Sequence, residues 1–369
     1  MRRRGTILSW IAFLSLILPL IGCVPRTEHE VVVYCALDRE FSETILDDFQ
    51  TDSGIRVLPK YDIESTKTVG LVTAIIEEQK RPRCDLFWNN EILHTLRLEK
   101  LGLLESYQSP AAEAFPADYV SPEGYWHGFA SRARILIVNK DRLPNRDDWP
   151  QSVVDLAAER WHGDCAIAKP LFGTTATHAA VLYDRWGEER AYQFFKQVKD
   201  NAAVVAGNKQ VALGVGRGDF AFGITDTDDA WVEIQRGAPV EIVFPDQVVL
   251  APDTESLESE SLGSEPLETK PLETEPLGTL FIPNSLAIVK GSPHQEAAKQ
   301  LVDYLLSPEV ERRLALGASA QIPVNPLVEQ RSPVQPDASL IWMDVDFRAA
   351  ADRWDTASAQ LRELFQSVE

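Results

Sequence analysis

The sequence is poor in basic residues and lacks the motifs of common enzymes. Its 369 residues include 36 lysines and arginines against 56 aspartates and glutamates, a formal net charge of -20. A phosphate backbone requires a basic protein face, so nucleic acid is excluded as a natural partner. The chain has no G-x-S-x-G, H-E-x-x-H or Walker loop, and no G-x-G-x-x-G after a predicted strand. We therefore do not predict an enzyme.

Cysteine is also scarce, with four residues in the chain. No C-x-x-C spacing indicates zinc, and after Cys23 is set aside an odd number remains, which cannot pair completely. We predict that Cys35, Cys84 and Cys165 are small buried thiols.

The residues before Cys23 predict where the protein is located. Three arginines at positions 2 to 4 precede an apolar run over 7–21, which is too short to be read as a spanning helix. A Leu-Ile-Gly-Cys sequence ending at Cys23 is typical of a lipoprotein processing site. We predict a signal peptide over 1–22, a lipid on Cys23, and a tether over 23–30, with an uncleaved anchor as the alternative. The product is exported to the periplasmic side of a bacterial membrane, and the formal charge of the mature chain becomes -23.

Strand and helix patterns alternate along the rest of the chain. About 350 residues exceed what one core usually supports, so two lobes are expected. The alternation predicts an α/β fold with a mostly parallel sheet, helices on both faces and a cleft between the lobes. We assign 31–131 plus 281–318 to lobe 1 and 132–251 plus 319–369 to lobe 2.

Residues 252–280 interrupt this alternation. From Ser256 they form five pentads of the type Pro-Leu-Glu-Thr-Glu, and a period of five matches neither helix nor strand. Because their acids and prolines cannot bury a core, we predict a disordered acidic insert. A calcium-binding repeat is the alternative, although the glycine turns of such loops are missing.

Polar residues gather where predicted strands lead into helices, which is where α/β sheets bind ligands. They are Asp38 after the first strand, Asn90 and Glu91 after the third, Asp226, Thr227 and Asp228 after the last strand of the second half, and Gly173, Thr174 and Thr175 at a corner without acids. The acids favour a cation or an ammonium group, and the acid-free corner favours an anion that Arg132 or Arg134 would also contact. Helix capping is the structural alternative for Asp38, Asn90 and Asp226.

Several stretches resemble the periplasmic solute-binding proteins of ABC importers, type II fold, in the ferric-ion-binding branch. They are Val31-Val32-Val33-Tyr34, Asp85-Leu86-Phe87, Arg132-Ala133-Arg134, Gly218-Asp219, Ser307-Pro308-Glu309 and Pro323-Val324-Asn325-Pro326. The resemblance implies metal ligands at Asp38, Glu91 and Asp228, and an anion at Gly173 and Thr174. Thr227 and Asp228 stand where that family has two adjacent tyrosines. The remaining carboxylates suit a hard metal ion or an amine.

The resemblance implies a lipid-anchored binding protein that delivers a small solute to an ABC permease in the inner membrane. Ferric iron or another hard metal ion with a synergistic anion is expected first. An amine-bearing or zwitterionic molecule (a polyamine, thiamine or an aminophosphonate) is the alternative. We expect a monomer with no cofactor besides the lipid on Cys23 and a possible metal ion as ligand. An anchored metal-dependent enzyme with His127 as its base is the remaining hypothesis.

Overall fold

The computed structural model describes residues 29–62, 68–247 and 276–365. The predicted signal peptide, Cys23 and most of the tether and of the acidic insert lie outside the described residues. In the part that is described, no helix has both the length and the apolar character needed to cross a membrane.

In the described residues, ten strands form one mixed sheet with the order β2-β1-β3-β10-β5-β8-β6-β7, to which β4 is added through β10 and β9 through β5. Their bounds are β1 Glu30–Cys35, β2 Arg56–Tyr61, β3 Leu86–Asn89, β4 Leu104–Glu105, β5 His127–Asn139, β6 Cys165–Ala168, β7 Ala203–Val205, β8 Phe222–Asp226, β9 Val240–Val243 and β10 Phe281–Val289.

Ten α-helices cover this sheet in the described ranges. They are α1 Arg39–Ser53, α2 Val69–Glu77, α3 Leu93–Lys100, α4 Gly173–Trp186, α5 Glu188–Asn201, α6 Asn208–Arg217, α7 Thr227–Gln235, α8 Gln295–Leu305, α9 Pro308–Leu316 and α10 Phe347–Phe365. Helix α1 shows how the sequence sets such a helix. Phe41, Ile45 and Phe49 lie at helical spacing and are buried, and the helix ends at Gly54, whose φ of 72° favours glycine.

Two parallel halves are joined by two long antiparallel strands. β1 pairs in parallel with β2 and β3, and β6 pairs in parallel with β7 and β8. Strands β5 and β10 pair antiparallel with each other and connect these halves. We call the half with β1 to β4 the first lobe and the half with β6 to β9 the second lobe. The predicted boundary at residue 132 falls inside β5, which is shared by both.

Four buried apolar clusters fill the two lobes. Helix α10 packs on α4 and α5 of the second lobe and also reaches α3 of the first. Cys35, Cys84 and Cys165 are buried thiols that form no disulfide in the described residues, which confirms the prediction.

The prediction of a disordered insert over 252–280 is wrong for residues 276–280. Leu277 and Leu280 are buried in the core of the second lobe, and Thr279 pairs with Trp342. Gly278, with a φ of 79°, donates its N–H to the carbonyl of Asp246. The fifth pentad therefore has apolar partners and backbone hydrogen bonds, which its similarity to the preceding acidic pentads concealed.

Candidate functional site

A pocket lies between the lobes, where β1, β3, β6, β7 and β8 end. Its lining residues are Leu37, Asp38, Asn90, Arg132, Ala168, Lys169, Phe172, Gly173, Thr174, Thr175, Ala206, Gly207, Asn208, Asp226, Asp228 and Asp229. The structure thus brings together eight of the ten residues that the sequence predicted at a binding site.

The first lobe contributes Asp38 and Asn90. Asp38 occupies the N-cap position of α1, but its side chain makes no capping hydrogen bond to that helix. Asn90 accepts a hydrogen bond of 2.9 Å from the hydroxyl of Thr68. Thr68 has a φ of 71°, a strained conformation for a β-branched residue, of the kind that concentrates at ligand sites. Capping of α1 therefore does not account for Asp38. Asn90 is not the N-cap of α3 either, because that helix begins three residues after it.

Two helices of the second lobe begin at the pocket. The N-cap residues of α4 and α6 are Phe172 and Gly207, neither of which has a side chain that accepts hydrogen bonds, and neither helix has an acid in its first turn. Gly173, with a φ of 53°, turns the chain into α4. Helix starts of this kind present backbone N–H donors and the positive end of the helix dipole, so they favour an anion.

A buried ion pair lies beneath these two helix starts. Arg134 donates to Asp226 at 2.7 Å, to Asn208 at 3.1 Å and to Thr174 at 3.3 Å, and its other amine donates to Thr175 at 3.3 Å. The second oxygen of Asp226 accepts from Thr174 at 2.6 Å and from Asn208 at 3.0 Å. Both oxygens of Asp226 are therefore occupied by protein donors, and Arg134 fixes the polar side chains of both helix starts. We call these five residues the anion floor.

Arg132 and Asp228 form a second pair that lines the pocket itself. Arg132 is 2% exposed, and its guanidinium lies 3.5 Å from a carboxylate oxygen of Asp228. Burial alone would lower the pKa of Arg132, but the charges of Asp228, Asp226 and Asp38 raise it overall. Acids of both lobes therefore act on Arg132, a cation of the protein itself, whereas Asp38 and Asp228 were predicted to bind a cation of the ligand.

The sequence predicted Glu91 as a ligand in the cleft, but Glu91 does not line the pocket. Its side chain is fully buried and accepts hydrogen bonds from Asn89 at 2.6 Å, from the backbone N–H of His94 at 3.1 Å and from Thr177 at 2.8 Å. The His94 ring lies 3.1 Å from the same carboxylate. With these protein partners, Glu91 joins the first lobe to α4 and does not line the pocket.

Thr227 is also placed differently from the prediction. It is buried, accepts a hydrogen bond of 3.2 Å from the backbone N–H of Ala133, and does not line the pocket. His127, the base of the enzyme hypothesis, lies in β5 and is absent from the pocket as well. Its burial lowers its pKa to about 4.

Asp226, Asp228 and Asp229 each place an oxygen within 4.8 Å of the others, a spacing that suits a metal ion. Carboxylate oxygens are ligands for hard cations. However, Asp226 is held by Arg134, and Asp228 faces Arg132. All eight tyrosines of the chain lie in the described residues, and none lines the pocket, so no phenolate completes the donor set.

The sequence reasoning missed Lys169 and Asn208 and omitted Asp229 from the predicted site. Asn208 follows β7 at a strand-to-helix corner, so the rule applied to the other corners would have found it. Lys169 follows β6 directly and could have been found in the same way.

Residues 44–344 match a family described as bacterial extracellular solute-binding protein. The chain belongs to this family. This solute-binding protein is 22% identical to the major ferric iron-binding protein of Neisseria meningitidis over 316 residues, which cover 84% of this chain and 86% of the relative. Proteins of the family work with ABC permeases and bind small solutes or iron; they are transport proteins of the extracytoplasmic space.

Solved structures show the same architecture. Iron-bound HitA from Pseudomonas aeruginosa is similar with a TM-score of 0.74 and 19% identity over 91% of this chain and 99% of that chain. The periplasmic binding protein AfuA from Actinobacillus pleuropneumoniae, with fructose-6-phosphate bound, gives a TM-score of 0.75 and 22% identity over 92% and 99%. The predicted two-lobed α/β fold of type II periplasmic binding proteins is confirmed.

Proposed function

We propose that this protein is the lipid-anchored solute-binding component of an ABC importer and captures a small solute with an anionic group on a cationic or hydroxylated body. The observation that carries the proposal is the anion floor, where α4 and α6 begin at one pocket above the Arg134–Asp226 pair. We therefore rank a solute with an anionic group ahead of ferric iron, in the reverse of the order expected from the sequence.

The anion floor suits a phosphate, phosphonate or carboxylate group. Two helix starts supply backbone donors, and Lys169 lines the same pocket. The hydroxyls of Thr174 and Thr175 donate to Asp226 and Asn208, so the anion would be bound by the backbone N–H groups and Lys169. Because Asp226 is already paired with Arg134, its charge does not repel an anion as a lone carboxylate would.

The other side of the pocket suits an amine or several hydroxyl groups. Asp38 comes from the first lobe, and Asp228 and Asp229 come from the first turn of α7 in the second. A solute that contacts both sides favours the conformation in which the lobes are closed over it, so binding and hinge closure are coupled.

Titration of the purified protein with a defined panel tests this proposal. The panel contains hexose phosphates, aminoalkyl phosphonates, polyamines, thiamine, and ferric citrate, and the readouts are isothermal calorimetry and thermal unfolding. We expect saturable binding of a phosphorylated or phosphonate solute. Asp228→Ala abolishes that high-affinity binding without unfolding the protein, since the carboxylate that would bind the amine or hydroxyl groups of the solute is lost.

Asp219→Ala is the matched control, because Asp219 is an exposed aspartate paired with Arg217 outside the pocket. It leaves affinity unchanged. Unaltered affinity in Asp228→Ala, or a panel in which only simple polyamines bind, would contradict the proposal.

Ferric iron with a synergistic anion is the second candidate, favoured by the close approach of Asp226, Asp228 and Asp229. In that case ferric citrate stabilises the protein against heat, and Asp229→Ala removes the effect. No strong visible absorption band accompanies binding, because no tyrosine lines the pocket.

A further inference from the structure

A cluster of basic side chains stands out on this acidic protein. Lys80, Arg81 and Arg83 are exposed and line one surface depression together with Gly291 and Pro293. Lys290, also exposed, directly precedes Gly291. We call these four basic residues the basic face. In a chain with a formal net charge of -20, such a concentration of positive charge marks a surface with an anionic partner.

The basic face lies at the end of the first lobe opposite the cleft. Strands β1 and β3 run in parallel, and both lead into residues that line the pocket. Residues 80–83 precede β3, so they lie at its other end. Strand β10 is antiparallel to β3, with Ile288 beside Leu86, and Lys290 follows it at that same end. The sheet therefore separates the basic face from the ligand by the length of its strands.

Three acids at this end of the lobe, Glu30, Glu78 and Asp85, are engaged by other partners, whereas Glu77 is exposed three residues before Lys80. Glu30 accepts from Arg56 at 2.5 Å, and Glu78 accepts from the hydroxyl of Tyr34 at 2.8 Å. Asp85 is buried and bonded to the backbone N–H of Val32 at 2.8 Å. These three carboxylates are thus committed to local bonds beside the exposed cations.

The chain enters the lobe at the same end. Glu30 begins β1, and its carboxylate lies 3.6 Å from His294, a neighbour of the depression that the basic face lines. Cys23 stands seven residues earlier in the sequence. Seven extended residues span at most about 25 Å. A lipid on Cys23 would hold this end of the protein within that distance of the bilayer, and thermal motion would bring it within a Debye length of about 8 Å.

We propose that the basic face seats the anchored protein on the headgroups of anionic phospholipids, so that the pocket is held away from the bilayer by the length of the first-lobe strands. The inference rests on the lipid anchor at Cys23 and is independent of which solute the cleft takes. Juxtamembrane lysines and arginines are attracted to anionic lipid within a Debye length of the surface, and the anchor supplies the local concentration that four charges alone do not.

Hydrogen exchange of the anchored full-length lipoprotein in vesicles tests the proposal. Mass spectrometry of the N-terminal peptide first establishes the lipid on Cys23; a protein without it overturns the proposal, while solute binding in the cleft remains a separate measurement. Vesicles of phosphatidylcholine are then compared with vesicles that contain one quarter phosphatidylglycerol. We expect exchange in peptides covering 79–84 and 289–294 to slow at least threefold with phosphatidylglycerol, and this difference to disappear in 0.5 M NaCl.

The triple variant K80E/R81E/R83E should lose the lipid-dependent slowing while its thermal unfolding is unchanged. The matched control K196E/K199E/R362E alters the net charge equally on α5 and α10, away from the basic face, and retains the slowing. Equal exchange in both vesicle types overturns the proposal. Protection that appears only when the permease is added, with either lipid, also overturns it and assigns the basic face to protein docking.

Discussion

Glu91 and Asp228 are both acids that follow a strand ending at the cleft, one in each lobe, yet their surroundings differ. Glu91 is fully buried and accepts from Asn89, His94 and Thr177. Asp228 lines the pocket, 3.5 Å from the guanidinium of Arg132. The comparison teaches that an acid at a strand-to-helix corner is a ligand candidate only when its protein partners leave it facing the cleft.

The starting points of the two helices explain the difference. Helix α7 begins at Thr227, directly after β8, so Asp228 lies in its first turn at the pocket. Helix α3 begins at Leu93, which leaves a three-residue loop after β3 in which Glu91 folds back toward His94. Asp226 is intermediate, since it lines the pocket while Arg134 holds its carboxylate from below.

The largest expected effect comes from breaking the ion pair between Arg134 and Asp226. This pair occupies the carboxylate of Asp226, as the protein donors around Glu91 occupy that of Glu91. Arg134→Met leaves the Asp226 carboxylate buried without its cation, and we expect the free energy of unfolding to fall by about 3–5 kcal/mol. Urea denaturation measures this. The double variant R134M/D226N should recover part of the loss, because no uncompensated charge remains; a double variant no more stable than R134M would contradict the assignment.

A smaller effect separates Glu91 from Asp228 directly. Glu91→Gln removes the charge that several buried donors share, and should lower the free energy of unfolding by about 1–3 kcal/mol while solute affinity stays within twofold. Asp228→Asn, in contrast, should weaken solute affinity at least tenfold. It costs less stability than Glu91→Gln, since Asp226 and Asp38 still act on Arg132. Calorimetry measures the solute affinity of both variants, and urea denaturation measures their stability. A loss of affinity in Glu91→Gln would contradict the assignment of Glu91 to structure and Asp228 to binding.

The pH dependence of stability sharpens the same contrast. Burial alone would raise the pKa of Glu91, but His94 and the hydrogen bonds from Asn89 and Thr177 lower it below its usual value of 4.5. An acid whose pKa is lowered by folding stabilises the fold fully at a pH above its pKa in the unfolded state. This contribution is lost as the pH falls through its pKa in the folded state. It amounts to about 1.4 kcal/mol for each unit of lowering.

We therefore expect the stability difference between wild type and Glu91→Gln to be constant from pH 7 to pH 5 and to shrink below pH 4.5. Urea denaturation at a series of pH values measures it. A difference that is the same at pH 3 as at pH 7 would show that the charge of Glu91 makes no contribution.

Most of the fold could be predicted from the sequence because helix and strand periods are local. The pattern of Phe41, Ile45 and Phe49 places α1 correctly, and the strand-end rule places Asp38 and Asp228 at the cleft. What could not be predicted depends on contacts across long sequence separations. Glu91 and Thr177 are 86 positions apart, and the sequence between them carries no sign that the two side chains meet.

The same limit applies to Arg132 and Arg134, which both lie in β5. The sequence predicted that one of Arg132 and Arg134 would face the cleft, and Arg132 lines the pocket while Arg134 lies beneath it. Which one did so depended on the register of β5 against β8, where Arg134 is paired with Asp226. Because residues two apart on a strand share a face, alternation along β5 does not separate Arg132 from Arg134; the strand that each one pairs with does.

The smallest expected effect concerns an ion pair that spans the cleft. Lys209 in the first turn of α6 donates to Glu40 in the first turn of α1 at 3.0 Å, and so connects the lobes at the edge of the pocket. Exposed pairs contribute up to about 1 kcal/mol. If this pair forms on closure, Lys209→Gln should weaken solute affinity by no more than about fivefold at low salt, and 0.5 M NaCl should remove the difference.

Lys299→Gln is the matched control for this variant, since Lys299 pairs with Glu296 at 2.7 Å within the single helix α8. It should leave affinity unchanged at every salt concentration, because a pair inside one helix is the same whether the lobes are open or closed. An effect of Lys209→Gln that persists in high salt would mean that Lys209 contacts the solute itself. The second lobe would then add a further cation to its side of the pocket, and the contrast between the anion floor and the acids that face it would be sharper than the present geometry indicates.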